Sequence, residues 1–168
     1  MTGRWLWRGM RAEDLDRVVP LADTLFPDHP EETARFAERL ARAGALCLTL
    51  ADKSDRIGGY AIAYPWPLGR IPGLNRPLAA SAEPADAIYL NDLGVHPTLS
   101  GAGHARAGLG LLVGHARAAG LRAVALVAVN GSAAFWAAMG FEEPTVSEAI
   151  AAKLASYGAG ARYMVLTL

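Results

Sequence analysis

The chain has 168 residues, 52% of them hydrophobic and 19% charged, with sixteen basic residues balancing sixteen acidic ones. That is the length of one domain, with enough apolar material for a sizeable core and too few charges for disorder. Zero net charge removes the cationic excess that a broad nucleic-acid surface needs. The longest uninterrupted apolar run, Ala123 to Val129, falls far short of the ~20 residues that span a bilayer. The Met1-Thr2-Gly3-Arg4-Trp5 start lacks the apolar segment and small-residue cleavage site of a signal peptide, so a soluble, cytoplasmic protein is expected. Cys47 is the single cysteine, which excludes an internal disulfide and a multi-cysteine metal site.

Arg4 to Arg8 alternates its apolar residues and is predicted as a first strand. Glu13 to Phe26 repeats Leu15, Val18, Val19, Ala22 and Leu25 at a helical period interrupted by Pro20. After the Pro27–Pro30 break, Asp28 or His29 opens a second helix to about Ala43. In that helix Pro30 occupies the first turn, Glu31 and Glu32 lie at the positive dipole end, and Gly44 is the stop. Ala45 to Leu50 and Ile57 to Tyr64 flank a polar turn and predict an antiparallel hairpin. Pro65 to Pro84 carries five prolines, too many for a helix or a central strand. Its apolar residues Trp66, Leu68, Ile71, Leu74 and Leu78 mark it as an ordered and functional loop.

Ala87 to Val95 is predicted as a strand with a polar pair, Asn91-Asp92, inside it. Gly101 to Gly120 is predicted as a helix. Its glycines each weaken it by ~1 kcal/mol relative to alanine, which implies close packing or ligand approach as compensation. Val124 to Val129 is a fully apolar strand suited to a sheet centre. Ser132 to Met139 is a short helix closed by Gly140, and an extended piece begins at Phe141. Ser147 caps a helix from Glu148 to Ser156, and Arg162 to Leu168 is the last strand. The expected fold is a single α/β domain with a mixed, mostly antiparallel sheet of six to seven strands and helices on both faces.

The chemistry-bearing segment runs from Leu93 to Ala105. A strand ends at Val95, and Gly101-Ala102-Gly103 opens a long helix whose first N–H groups are unpaired and whose dipole is positive there. Small residues let a pyrophosphate approach that backbone without any lysine. In a Rossmann fingerprint the first glycine follows the strand almost at once. Here five residues separate Val95 from Gly101, and Arg106 holds the third-glycine position. A Walker loop is excluded by the absence of Gly-Lys-Ser/Thr. An anion cradle and a turn that serves only tight helix–strand packing both remain open on the glycines alone.

Val95-His96-Pro97 followed by Ser100-Gly101-Ala102-Gly103-His104-Ala105 resembles the acyl-CoA loop of the GNAT superfamily of N-acetyltransferases, whose pattern is Gln/Arg-x-x-Gly-x-Gly/Ala. Downstream, Asn130-Gly131-Ser132-Ala133-Ala134-Phe135-Trp136-Ala137-Ala138-Met139-Gly140-Phe141 resembles the family's second motif, Asn…Ala…Phe-Tyr-x-x-x-Gly-Phe. Two departures stand out. Ser100 replaces the usual Gln or Arg, and Trp136 stands where many members carry the tyrosine that protonates the departing thiolate. An indole N–H donates hydrogen bonds but has no useful acidity.

The resemblance implies acetyl-CoA as cosubstrate, no metal, and a small-molecule or peptide amine as acceptor. Nucleic acid and membrane are not expected as partners, and a homodimer is left open. It further implies that the backbone of Leu93, Gly94 and Val95 holds pantetheine and acetyl carbonyl, with the Leu93 N–H as oxyanion donor. Ser100 to Ala105 hold the pyrophosphate, Asn130 the pantetheine arm, and Phe135 with Trp136 wall the thioester. Asp92 is a candidate general base because a carboxylate in an apolar strand needs a partner or a function. Its bland alternative is a salt bridge or a hydrogen bond to a loop amide. Tyr89 and Asn91, which alternation places with Leu93 on the face opposite Asp92, are candidates to orient a water. Asp28 and His29 are either acceptor-site residues or helix caps. Cys47 reads as a buried apolar residue.

Overall fold

A computed structural model describes residues 3–78 and 83–168 of the chain. Residues 79–82 of the Pro-rich loop, and the first two residues of the amino terminus read above, lie outside the described residues. Among the described residues six strands form one sheet in the order β1-β2-β3-β4-β5-β6: β1 (Leu6–Gly9), β2 (Leu48–Ala51), β3 (Ile57–Trp66), β4 (Ala87–Val95), β5 (Ala123–Ala128) and β6 (Arg162–Thr167). The β1/β2, β2/β3 and β5/β6 pairs are antiparallel, and β4/β5 is parallel, so the expected mixed sheet forms. The helices among the described residues are α1 (Leu15–Leu25), α2 (Thr33–Ala43), α3 (His104–Ala118), α4 (Ala133–Ala138) and α5 (Glu148–Ala155). Among the described residues no helix is long and apolar enough to cross a membrane.

The contacts group into two compact units, Met1–Tyr64 with Asn91–Leu112 and Pro65–Leu90 with Val113–Leu168. In the first unit Trp5, Leu50 and Leu99 form an apolar centre with Trp7 and Val95 against it. A bidentate pair from Arg8 to Asp14, at 2.7 and 3.0 Å, ties β1 to the 3-10 turn before α1. Pro20 lies inside α1 and does not end it. Its missing N–H deprives the Asp16 carbonyl of a helical partner, and Asp16 is exposed on the outer face of α1.

Several predicted boundaries move, each for a local reason. The second helix begins at Thr33 with Glu32 as its N-cap, so Asp28, His29, Pro30 and Glu31 all precede it. Glu31 instead forms an ion pair with the buried Arg39. Gly44–Leu46 is a 3-10 turn, and β2 starts only at Leu48. β3 continues through Pro65 to Trp66, beyond the expected end of the hairpin. Cys47 is fully buried, and loss of hydration pushes its thiol up to about 11, in keeping with an inert core residue.

The second unit centres on Ile71, Ala125 and Tyr163, with Leu68, Val146, Ile150, Leu154 and Tyr157 packed against them. The described part of the Pro-rich loop is fastened within this unit. The Gly69 N–H donates to the Tyr163 hydroxyl at 2.9 Å, the Leu68 N–H donates to Asp86 at 2.8 Å, and the Tyr157 hydroxyl donates to the Pro72 carbonyl. Ser147 caps α5 as expected, its Oγ accepting from the Ile150 N–H at 3.3 Å. The extended piece after Phe141 makes a single bridge, Glu142 to Val165.

The α3 glycines divide by environment. Gly108 faces Trp7, whose ring carbons would lie 2.9 Å from an added Cβ, while Gly110 has open space. Gly110→Ala should therefore raise stability by about 1 kcal/mol. Gly108→Ala should lower it by about 1–3 kcal/mol through overpacking. Chemical denaturation of the two variants checks both signs.

Candidate active site

β4 is held from its β3 side by close backbone approach. The His96 N–H donates to the Gly58 carbonyl at 2.7 Å, and a Cβ on Gly59 would stand 2.8 Å from the Gly94 carbonyl oxygen. A Cβ on Gly94 would meet Leu25 Cδ1 at 2.7 Å and Phe26 at 3.1 Å, so a side chain there would have to displace both. Parallel pairing with β5 takes up only Ile88 and Tyr89 of β4, opposite Val124 and Ala125. Tyr89 is buried in the second unit, whereas Asn91 to Val95 belong to the first.

The polar pair in β4 is organised by two tyrosines that sequence reasoning passed over. The Tyr60 hydroxyl donates to Asp92 Oδ2 at 3.1 Å, and the Tyr64 hydroxyl donates to Asn91 Oδ1 at 3.0 Å. Asn91 Nδ2 in turn donates to Asp92 Oδ1 at 3.3 Å. Strict alternation would hold Asn91 and Asp92 on opposite faces; instead their side chains meet, because both are drawn into one hydrogen-bonded set with β3. Tyr60 is fully buried between Phe26 and Phe36, whose ring centroids lie 6.4 and 6.2 Å away. The signal available in the sequence was Tyr60 and Tyr64 at even spacing in an otherwise apolar strand.

Asp92 makes no ion pair among the described residues, so the salt-bridge alternative does not hold. Its carboxyl is raised to about 7, first by loss of hydration and then by the Glu31 charge. The Arg39 guanidinium and the hydrogen bonds from Tyr60 and Asn91 act in the opposite direction. Tyr60 is raised well above 10, again by loss of hydration and then by Asp92, so it stays a protonated donor. Asp92 is only partly exposed, and a carboxyl raised toward neutrality in this way is suited to take a proton from an amine.

At the start of α3 the chain turns through Gly101 at φ +83° and Gly103 at φ +81°, and α3 itself begins at His104. Both glycines are therefore outside the helix predicted to include them. They are exposed, and a Cβ on either would meet nothing within 4 Å. This disposes of the tight-packing reading at these two positions. Glycine is required there by the left-handed backbone, not by a neighbour. The first amide after Ser100 to find a carbonyl is Ala107, on Gly103 at 3.0 Å. Among the described residues the amides between Ser100 and Ala107 have no backbone carbonyl partner, and they lie at a positive helix end, an arrangement that fits a diphosphate. Ser100 spends its hydroxyl on the Pro97 carbonyl at 2.8 Å, and the Trp7 indole N–H anchors the His104 carbonyl at 2.8 Å.

In the second unit Asn130 and Gly131 make an exposed left-handed turn, at φ +54° and +74°, before α4. Phe135 is exposed, while Trp136 is buried edge-on against Phe141 at 5.5 Å and against Phe135 at 5.0 Å. Asp28 is exposed and neither it nor His29 caps α2. Among the described residues there is no group of three or more His, Cys, Asp or Glu placed to hold a metal ion.

The model of the acetyltransferase (GNAT) family matches residues 10–141. No curated protein sequence matches the chain significantly. Among solved structures, the chain is similar to Ard1 from Thermoplasma volcanium, with a TM-score of 0.75 at 12% identity over 98% of this chain and 97% of that one. It is similar to Naa20 from Chaetomium thermophilum in complex with a bisubstrate analogue, with a TM-score of 0.71 at 20% identity over 97% and 86% of the two chains. Arabidopsis thaliana Naa50 bound to the bisubstrate analogue CoA-Ac-MVNAL gives 0.68 at 17% identity, covering 96% of each chain. At such identities the likeness speaks for the fold.

Proposed function

This chain belongs to the acetyltransferase (GNAT) family, and from that premise we propose that Asp92 serves as general base while the Gly101–Ala105 amides hold the pyrophosphate of acetyl-CoA. The reaction is acetyl transfer from acetyl-CoA to an amine, and the acceptor is the amine of a peptide or a small molecule. The observation that carries the site assignment is the pair of left-handed glycines, Gly101 and Gly103, at the head of α3, where the amides before Ala107 have no backbone carbonyl partner among the described residues. Asp92 accepts a proton from the acceptor's ammonium. The amine nitrogen then forms its bond to the acetyl carbonyl carbon, the carbon–sulfur bond breaks, and the thiolate takes up the proton that nitrogen sheds.

The Leu93 N–H donates to the developing oxyanion, a role indifferent to side chain. Leu93, Gly94 and Val95, beyond the last parallel pair at Tyr89, offer backbone groups to the pantetheine arm. Asn130, Phe135 and Trp136 enter by the second motif. Trp136 supplies a wall and no proton. A thiol ionises near roughly 8.5, so its thiolate leaves without a dedicated acid. Tyr89 remains a candidate to orient a water. Asn91, with its amide oxygen on Tyr64 and its amide nitrogen on Asp92, orients the base instead. A cytoplasmic location without nucleic-acid or membrane partners belongs to the same reading, on the strength of the balanced charge and the inert Cys47.

The competing reading is a non-catalytic acyl-CoA-binding module, favoured by the missing tyrosine at Trp136. Acetyl-CoA at 100 times its dissociation constant should add about 2.7 kcal/mol, or roughly 5–10 °C in melting temperature. No shift at millimolar acetyl-CoA would sink both readings. Release of free thiol with a panel of peptide and small-molecule amines separates them, since the binding module releases none.

A further inference from the structure

Tyr60 and Tyr64 stand four residues apart on β3 and so share one face of that strand. Their hydroxyls reach the two ends of one chain of donors: Tyr64 to Asn91 Oδ1, Asn91 Nδ2 to Asp92 Oδ1, and Tyr60 to Asp92 Oδ2. An asparagine amide can present either its oxygen or its nitrogen to a neighbour. The ionised carboxylate only accepts and so takes the amide nitrogen, and the Tyr64 hydroxyl, donating to the amide oxygen, holds the amide in that orientation. In the reversed orientation the amide oxygen would face Asp92, lone pair against lone pair. Each carboxylate oxygen thus receives one donor and keeps capacity for an incoming proton.

We propose that Tyr64 is a positioning residue for the general base: acting through Asn91, it turns an amide N–H toward Asp92 while Tyr60 fixes the second carboxylate oxygen. This rests on the reading of Asp92 as the base of acetyl transfer. The surroundings leave the set little room to rearrange. Tyr60 is wedged between Phe26 and Phe36, and Asn91 has both ends of its amide engaged. The other charged groups acting on Asp92 are Glu31, ahead of α2, and Arg39 on α2, which are paired with each other. Glu31 and Asp23 of α1 also act on Tyr60. The tyrosines are therefore the neutral part of the shell, the part that sets direction while the ion pair sets the field.

The test is the pH dependence of steady-state acetyl transfer by Tyr64→Phe, Asn91→Ala and the double variant. With the donor chain cut, the rising limb of kcat/KM should move up by about one pH unit. The rate below the limb should fall about tenfold, the rate at pH 9 should approach that of the parent, and KM for acetyl-CoA should stay within twofold. The double variant should lose no more than either single one, because both cut the same chain. A limb that stays in place in Tyr64→Phe, or losses that multiply in the double variant, would overturn the proposal. Asn91→Ala leaves Tyr64 standing and reads the same limb if Tyr64→Phe proves unstable. Asp92→Asn separates the two levels. If that variant turns over at the parent rate, the base assignment itself fails; if it is slow while the Tyr64→Phe limb stays put, only the positioning role fails.

Discussion

Gly103→Glu should lose acetyl-CoA affinity by at least about 100-fold while costing the free protein only ~1–2 kcal/mol. The two effects have separate causes. The stability loss comes from forcing an L-residue to φ +81°, a conformation glycine adopts freely. It is not offset by helix propensity, because α3 begins one residue later, at His104. Nor is it enlarged by a clash, since a Cβ there meets nothing within 4 Å. The binding loss comes from a carboxylate standing where the diphosphate must approach the amides. Gly103→Ala carries the same backbone cost without the charge and should bind about tenfold more weakly than the parent. Calorimetric titration with acetyl-CoA beside a melting curve of the free protein reads both quantities. A Gly103→Glu protein that binds like the parent would remove the pyrophosphate from this turn.

Asp92→Asn should lower the acetyl-transfer rate at pH 8 by about 10²–10⁴-fold, the range attributed to a positioned base. In the parent, activity should rise tenfold per pH unit up to about 7 and level above it, following the raised Asp92 carboxyl. The same group makes a stability prediction of definite sign. Its acid form is favoured in the folded protein up to about 7, against 3.8 for an ordinary aspartate. Between those values the folded state holds a proton that the unfolded state has released. The stability contributed by Asp92 should therefore fall as pH rises through that window and level above about 7. Asp14, Asp52, Glu83 and Asp86, whose carboxyls are lowered, trend the other way, so the effect is read as the difference between the parent and Asp92→Asn. Asp92→Asn removes the ionisation and should be the more stable protein above pH 7, by on the order of a few kcal/mol at most. Melting curves at pH 4, 6 and 8 give the comparison. A variant that loses rate and also stability at pH 8 would mark Asp92 as a structural acceptor for Tyr60 and not as a base.

Much of the scaffold could be read from the chain. β4 occupies Ala87–Val95 as expected, the β2/β3 hairpin forms around its polar turn, and Ser147 caps α5. These features are local: a run of β-formers, a turn, or a hydroxyl three residues ahead of an amide is enough to specify them. The glycine-rich head of α3 was equally visible, yet its helical assignment was too generous by three residues. Period and propensity do not report the sign of φ, and the left-handed turns at Gly101 and Gly103 arise where the chain leaves its 3-10 turn for the helix axis.

By itself the sequence determined the two motifs in order, and through them the family; the acyl-CoA cosubstrate and the amide cradle are what those motifs lead us to propose. A backbone-binding site needs small residues at fixed spacing, and spacing is what a sequence displays. The tertiary structure alone decided how Asp92, the proposed base, is held. Glu31 and Arg39 pair across eight positions, and Tyr60 and Tyr64 meet Asp92 and Asn91 from some thirty positions away. Loss of hydration and the net field of those neighbours lift Asp92 toward neutrality. Such fields depend on distance in space and on the exclusion of water, and neither is carried by the order of residues along the chain.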